Sequence, residues 1–110
     1  MTREFIMTTV FDRLWDKQGL SDDDLLRLQI DLMTNPKTGD IIKGTDGARK
    51  MRFALYDTGK RGGIRIIYID LETKEQIYLI LCYTKSRQDN LTSEQRETVR
   101  GLVNTLKGVH

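Results

Sequence analysis

Residues 64–84, with the sequence IRIIYIDLETKEQIYLILCYT, decide the fold of this chain. Two apolar runs, at 64–71 and 76–84, flank the polar stretch ETKE at 72–75. Runs of this length that are rich in Ile, Leu and Tyr and joined by a short polar turn predict a β-hairpin. Both runs are apolar on two faces for part of their length, which is typical of central strands. We therefore expect a sheet with a packed layer on each side.

Two further strands are predicted before the hairpin, near 41–43 and 48–56, because the hydrophobic period is two from residue 40 onward. Glycine-containing breaks separate the strands, at Gly39, Gly44, Asp46-Gly47 and the stretch DTGKRGG at 57–63. Consecutive strands with short links pair antiparallel. The centre of the chain is therefore expected to be an antiparallel sheet.

The two ends of the chain are predicted to be mainly helical. Residues 3–8 suit a short first strand, and Thr8 or Thr9 then caps a helix that ends at Gly19. Ser21 caps a second helix, which ends at Asn35-Pro36. Thr92 or Ser93 begins a last helix whose inner stripe is Val99, Leu102, Val103 and Leu106. The sequence thus predicts one α+β domain, residues 1–110: a small antiparallel sheet of three or four strands, two N-terminal helices and a C-terminal helix.

Composition narrows the class of protein. A chain of 110 residues forms one domain, and no apolar run is long enough to span a membrane. The N-terminus MTREFIMTTVFDRLWD lacks the pattern of a secretory signal. The single cysteine, Cys82, lies in an apolar run and is expected to be a buried free thiol. A reducing cytoplasm is the expected location.

Positive charge is concentrated in the middle of the chain. Residues 43–65 carry seven Lys and Arg against two Asp, whereas residues 1–42 carry five basic against eight acidic residues. On the strand near 48–56, Lys50 and Arg52 share one side, and Met51, Phe53 and Leu55 share the other. A basic segment of this kind predicts an anionic partner.

Cations from three segments are expected to meet in the sheet. Lys50 and Arg52 lie on one strand, Arg65 begins the next, and Tyr83 and Lys85 leave the last. Arginine binds a phosphodiester with two parallel hydrogen bonds, lysine acts as a point charge, and tyrosine can stack or transfer a proton. We expect Tyr83 to end a strand face formed with Ile77, Leu79 and Leu81.

The usual catalytic groups are nearly absent. His110, the only histidine, is the last residue, which argues against a two-histidine nuclease, a zinc site or a Ser-His-Asp hydrolase. The acidic run SDDD at 21–24 is typical of a well-capped helix start rather than a metal site. Chemistry is therefore expected from Lys, Arg, Tyr and a carboxylate, with no metal and no cofactor.

The chain resembles a HigB/RelE-type toxin of a bacterial type II toxin–antitoxin system, within the RelE/ParE superfamily. The resemblance rests on three segments in order: GTDGARKMRFAL, GKRGGIRIIYID, and IYLILCYTKSRQDNL followed by a helix. It extends over almost the whole chain. It implies a small α+β fold related to microbial ribonucleases.

The resemblance also implies an activity, a site and partners. The activity is ribosome-dependent endonucleolytic cleavage of mRNA without a metal, with Lys50, Arg52, Arg65, Tyr83 and Lys85 as the catalytic set. Further contacts to RNA are expected from the nearby cations Lys43, Arg49, Lys60, Arg61 and Arg87. The implied partners are the ribosomal A site with its mRNA and a cognate antitoxin, a helix-turn-helix DNA-binding protein of the HigA type.

Two other functions stay open. A ParE-like gyrase poison shares the fold and cuts no RNA, but the basic set on the sheet argues against it. A non-catalytic module would use the same cations only to bind RNA or the ribosome. The residues after the last strand, from Ser86 to Asn90, depart from the family pattern, so the sequence does not identify the general acid.

Overall fold

A central antiparallel hairpin organises the computed structural model, which describes residues 2–55, 63–85, 87–88 and 90–108. Its strands are β4 (Ile64–Leu71) and β5 (Gln76–Thr84), which confirms the predicted bounds of both. The link is one 3-10 turn, Glu72–Lys74, closed by Glu75 in the left-handed region with φ 54°. The polar ETKE stretch thus forms the predicted turn.

Three shorter strands extend the sheet. They are β1 (Glu4–Met7), β2 (Asp40–Ile41) and β3 (Arg49–Phe53), and the strand order is β1-β5-β4-β3-β2. The pairs β2–β3, β3–β4 and β4–β5 are antiparallel, as predicted. β1 pairs parallel with β5, so within the described residues the sheet is mixed and has five strands rather than three or four antiparallel ones. The alternation along residues 3–8 indicates a strand but carries no information on its distant partner.

In the described part of the chain, three helices cover the sheet: α1 (Thr9–Lys17), α2 (Asp22–Thr34) and α3 (Ser93–Lys107). Their caps are Thr8, Ser21 and Thr92. Ser21 is the predicted cap, and Thr8 and Thr92 are each one of the two residues that the sequence offered. In α2 the Ser21 backbone donates to the Asp24 carboxylate at 3.1 Å, and this bond holds the pKa of Asp24 below its usual value. Among the described residues, no helix is long and apolar enough to cross a membrane.

The sheet separates two apolar cores. α1 and α2 cover one face, where the buried residues are Phe11, Trp15, Leu20, Leu28, Leu32, Phe53, Ile64, Ile66, Tyr68, Ile77, Leu79 and Cys82. α3 covers the other face, where they are Ala48, Ile67, Ile69, Leu71, Ile80, Tyr83, Leu91, Val99 and Val103. The thiol of Cys82 is fully buried, as expected, and burial raises its pKa to about 12.

An irregularity at Ile80 changes which side chains share a face of β5. Ile67 on β4 pairs with Leu81, whereas the next residue, Tyr68, pairs with Leu79. Ile80 on β5 is therefore an extra residue with no directly opposite partner on β4. Such a bulge breaks the period of two, and every later side chain moves to the opposite face. The expectation of one face from Ile77 to Tyr83 is therefore wrong: Ile77 faces α1 and α2, whereas Tyr83 faces α3.

A buried ion pair joins the first strand region to β4. Arg3 Nε donates to Asp70 Oδ1 at 2.7 Å, and Lys37 Nζ donates to Asp70 Oδ2 at 3.0 Å. The Asp70 side chain is 1% exposed. Its burial opposes ionisation, but the hydrogen bonds from Arg3 and Lys37 outweigh this and lower the pKa of Asp70. The group fastens the end of the sheet remote from Arg52.

Candidate nucleic-acid interface

Three predicted site residues form one row across the sheet. Arg52 on β3 lies directly opposite Arg65 on β4, and Arg65 lies directly opposite Tyr83 on β5. Directly opposite residues point to the same face, with Cβ atoms about 5 Å apart. Because Tyr83 belongs to the core under α3, the row faces α3. Both arginine side chains therefore leave neighbouring positions on one face, from which two guanidinium groups can bind one phosphodiester.

Lys50 extends this row along β3. It precedes Arg52 by two residues, so both side chains lie on one face and about 7 Å apart along the strand. Lys50 is half-buried, whereas Arg52 is exposed. The Lys50 Nζ donates to the side-chain oxygen of Asn90 at 3.0 Å. The alternation predicted from the sequence therefore places both cations together, as expected.

Tyr83 is the most enclosed member of the row. It is 8% exposed and packs in the core that includes Leu91 and Val99. A nucleobase needs an open ring face for stacking, and so little exposed surface does not offer one. Of the two roles that a tyrosine offers at such a site, stacking on a base thus has no support in this geometry. Tyr83 can act through its hydroxyl or by packing beside Arg65 on the same face.

Gly63 allows the start of β4 to pass close to the end of β3, next to this row. Its φ is +71°, and a Cβ on it would clash with the carbonyl oxygen of Phe53. Side chains are strongly disfavoured in this left-handed region, and the contact is with backbone, which cannot rotate away. Gly63 therefore permits the close passage of two chain segments two residues before Arg65.

The other predicted cations lie in different places. Lys85 and Arg87 are exposed in the turn after β5, at the same end of the sheet as Arg65. Lys43 is exposed in the turn before β3, at the opposite end of that strand from Arg52. Lys60 and Arg61 lie outside the described residues. The row thus has neighbours in the turn after β5, and Lys43 lies apart from it.

Arg49 points away from the row. It adjoins Lys50 on β3 and so faces α1 and α2. Its Nη1 donates to the carbonyl oxygens of Gly39 at 2.8 Å and Lys37 at 3.3 Å. These bonds hold the connection between α2 and β2. The structure therefore does not bring this predicted RNA-binding residue together with Arg52 and Arg65.

Two residues outside the predicted set lie close to this face. Asn90 binds Lys50, and Arg96 lies on α3 with its side chain near Gly44. The Arg96 Nε is buried, and it has no hydrogen-bond partner within the described part of the chain. The sequence could have indicated Arg96, because it lies three residues before Val99 and so on the helix face that carries the inner stripe. No local pattern indicates the contact of Asn90, which is 40 residues from Lys50.

A groove of about 490 Å³ opens on the other flank of α3. It is lined by Thr8, Val10, Ile80, Leu81, Thr92, Glu94, Gln95, Thr98, Val99 and Leu102. None of these residues is cationic, so the groove lacks the charge that binding a phosphate requires. The row of cations, and not this groove, is the candidate RNA site.

Comparisons with known proteins agree with this architecture. A family model described as the RelE toxin of the RelE/RelB toxin–antitoxin system matches residues 3–110. Among solved structures, the chain is similar to the free E. coli toxin RelE carrying two arginine-to-alanine mutations, with a TM-score of 0.54 and 14% identity. The match covers 81% of this chain and 90% of that one. At this identity the likeness shows the α+β fold, with its helices and mixed sheet.

Proposed function

The chain belongs to the RelE toxin family, and we propose that this toxin is a ribosome-dependent endoribonuclease that cleaves mRNA and so inhibits translation. The observation that carries the proposal is the cross-strand row in which Arg52 adjoins Arg65, with Lys50 on the same face. RNA presents one phosphate per nucleotide, and paired guanidinium groups bind phosphate with defined geometry.

The proposed reaction is a transphosphorylation within the RNA. The 2′-oxygen attacks the neighbouring phosphorus, the bond from phosphorus to the 5′-oxygen breaks, and the products are a 2′,3′-cyclic phosphate and a 5′-hydroxyl. One group takes the proton of the 2′-OH, and another gives a proton to the departing oxygen. Arg52 and Arg65 stabilise the negative charge that grows on the phosphorane.

Lysines are the candidate proton-transfer groups. Lys50 lies on the same face as Arg52, and Lys85 follows β5 at the end of the sheet where Arg65 lies, so either amine is a candidate for the base. Tyr83 is the remaining candidate, since its position opposite Arg65 keeps its ring in the row. A well-placed acid or base contributes on the order of 10²–10⁴ in rate.

Dependence on the ribosome follows from this limited set of groups. No described residue is a histidine, so the described part of the site offers no imidazole as acid or base. Alignment of the 2′-oxygen, phosphorus and leaving oxygen then supplies a larger part of the acceleration. An mRNA held in the A site is ordered in this way before the toxin binds.

The family implies a cognate antitoxin, which we propose is a DNA-binding protein of the helix-turn-helix class. It would inhibit the toxin either by covering the row or by keeping the toxin off the ribosome. Co-purification of the toxin with the protein encoded beside it tests the partner. Protection of Arg52 and Arg65 in that complex would distinguish the two modes of inhibition.

Expression without the antitoxin tests the function. We expect growth arrest and mRNA cut within codons, with products that end in a cyclic phosphate. Chromosome breaks without mRNA cleavage would indicate a ParE-like gyrase poison. Ribosome or RNA binding without cleavage would indicate a non-catalytic module. Purified toxin on programmed ribosomes, compared with the same mRNA free in solution, then tests the dependence on the ribosome.

A further inference from the structure

A chain of hydrogen bonds connects Lys50 to the first turn of α3. The capping box of α3 is formed by Thr92 and Gln95: the Thr92 backbone donates to Gln95 Oε1 at 3.0 Å, and the Gln95 backbone donates to Thr92 Oγ1 at 3.1 Å. The same Gln95 Oε1 accepts from Gln88 Nε2 at 2.9 Å. The cap is therefore joined to the loop that precedes it.

Gln88 passes this connection to Asn90. Its Nε2 also donates to the backbone oxygen of Asn90 at 3.0 Å, which fixes the backbone from which the Asn90 side chain projects. The Asn90 side-chain oxygen accepts from Lys50 Nζ at 3.0 Å. Lys50 on β3 is thus held by a loop that is itself held by the end of a helix.

We propose that Asn90 is a positioning residue for Lys50, and that Gln88 makes this position depend on the α3 cap. A lysine side chain has many rotamers, and without a partner its ammonium samples a wide volume. One hydrogen bond to Asn90 restricts it and leaves two ammonium protons for phosphate oxygens. This inference rests on the proposed function, since it assigns Lys50 a phosphate to bind.

The chemistry of the acceptor supports positioning rather than neutralisation. An amide oxygen orients the ammonium and leaves its full charge available, whereas a carboxylate would cancel that charge toward RNA. Asn90 is exposed and Lys50 is half-buried. An exposed hydrogen bond adds little to folding stability. The contact between Asn90 and Lys50 therefore fixes the position of the lysine charge rather than adding to folding stability.

The first experiment observes the Lys50 ammonium directly by ¹⁵N NMR of the lysine side chains. We expect an ordered, slowly exchanging signal in the wild-type protein and loss of that order in Asn90→Ala and Gln88→Ala. Asn104→Ala is the matched control, because Asn104 lies on α3 about 17 Å beyond its first residue. An equally ordered Lys50 in Asn90→Ala overturns the proposal.

The second experiment exchanges the amide for a carboxylate. Asn90→Asp keeps an oxygen acceptor, so we expect Lys50 to stay ordered. It also adds a negative charge that cancels the Lys50 charge toward RNA. The slope of log affinity against log salt, measured for an RNA oligonucleotide, is then expected to become shallower by about one phosphate contact. On programmed ribosomes, Asn90→Ala lowers the single-turnover rate about 10- to 100-fold through misplacement of the cation. A merely structural contact predicts an unchanged slope in Asn90→Asp, and that result overturns the inference.

The two proposals fail separately. If the wild-type toxin cleaves no mRNA but Asn90→Asp loses one phosphate contact, the endoribonuclease function is wrong and the positioning role stands. If the wild type cleaves and Asn90→Ala cleaves at the same rate, the positioning role is wrong and the function stands. Thermal melts of each variant confirm that the fold is intact.

Discussion

Arg52 and Arg65 lie directly opposite each other on β3 and β4, on the face of the sheet that α3 covers. Like charges in directly opposite positions destabilise an antiparallel pair. A phosphate that contacts both side chains would reduce this repulsion. The pair is therefore the centre of the candidate site.

Arg65→Ala is expected to lower cleavage by about 10²–10³-fold or more, because one donor to the growing phosphorane charge is lost. Single-turnover cleavage on programmed ribosomes measures the rate, and a thermal melt measures the fold. Arg100→Ala is the control, since Arg100 pairs with Glu97 on the exposed side of α3. An Arg65→Ala protein that fails to fold would make Arg65 structural and remove it from the site.

Lys50→Ala and Arg52→Ala are expected to weaken RNA binding and to make it less sensitive to salt. Each variant removes about one phosphate contact, so each slope of log affinity against log salt becomes shallower by about 0.7 on single-stranded RNA. Titrations at several salt concentrations measure the slopes. Lys17→Ala, in the last turn of α1, should leave the slope unchanged. Equal slopes in all four proteins would exclude the row as the RNA contact.

Tyr83→Phe separates the hydroxyl from the ring. The ring is buried under α3, so phenylalanine preserves its packing. We expect a nearly unchanged cleavage rate and an unchanged melting temperature. Tyr83→Ala should cost about 3–5 kcal/mol of stability, as for other large buried aromatic residues. A hundredfold loss of rate in Tyr83→Phe with normal ribosome binding would instead make the hydroxyl part of proton transfer.

Gly63→Ala and Gly101→Ala are expected to change stability in opposite directions. Gly63 has φ +71°, and its added Cβ would meet the Phe53 carbonyl, so Gly63→Ala loses at least about 1 kcal/mol and some activity. Gly101 is exposed within α3, and no atom lies within 4 Å of an added Cβ. Gly101→Ala should therefore add up to about 1 kcal/mol. Urea unfolding of both variants is the measurement, and a stable Gly63→Ala protein would contradict the close approach.

Asp70→Asn is expected to lower the melting temperature by about 5 °C or more at pH 7, because Arg3 and Lys37 lose a buried carboxylate. The pKa of Asp70 is lowered in the folded state, so its contribution is complete above the unfolded pKa of about 3.9. It disappears as the pH falls through the lower folded value. Melts at pH 7 and near pH 2.5 measure this, with Glu97→Gln as the exposed control.

If the difference in melting temperature between wild type and Asp70→Asn is the same at both pH values, this linkage is contradicted. The same outcome would mean that the pair acts by shape and packing rather than by charge. A difference in melting temperature that is confined to neutral pH supports the linkage, since protonated aspartic acid and asparagine are similar in size and both uncharged.

Local signals predicted much of the fold. Thr8, Ser21 and Thr92 begin the three helices because a cap satisfies backbone groups within its own turn. The bounds of β4 and β5 followed from two apolar runs and one polar turn. Alternation along β3 correctly placed Lys50 and Arg52 on one face. Each of these features depends on neighbours within a few residues.

The meeting of distant segments could not be predicted from local patterns. β1 joins β5 across about 70 residues, and the bulge at Ile80 moves Tyr83 to the face of Arg65. Asn90 reaches Lys50 across 40 residues. Caps and periodicity act within one element, so the elements and the cationic face of β3 could be predicted from the amino-acid sequence. The shared site required the sheet, because register and long-range hydrogen bonds form only when the separate elements pack together.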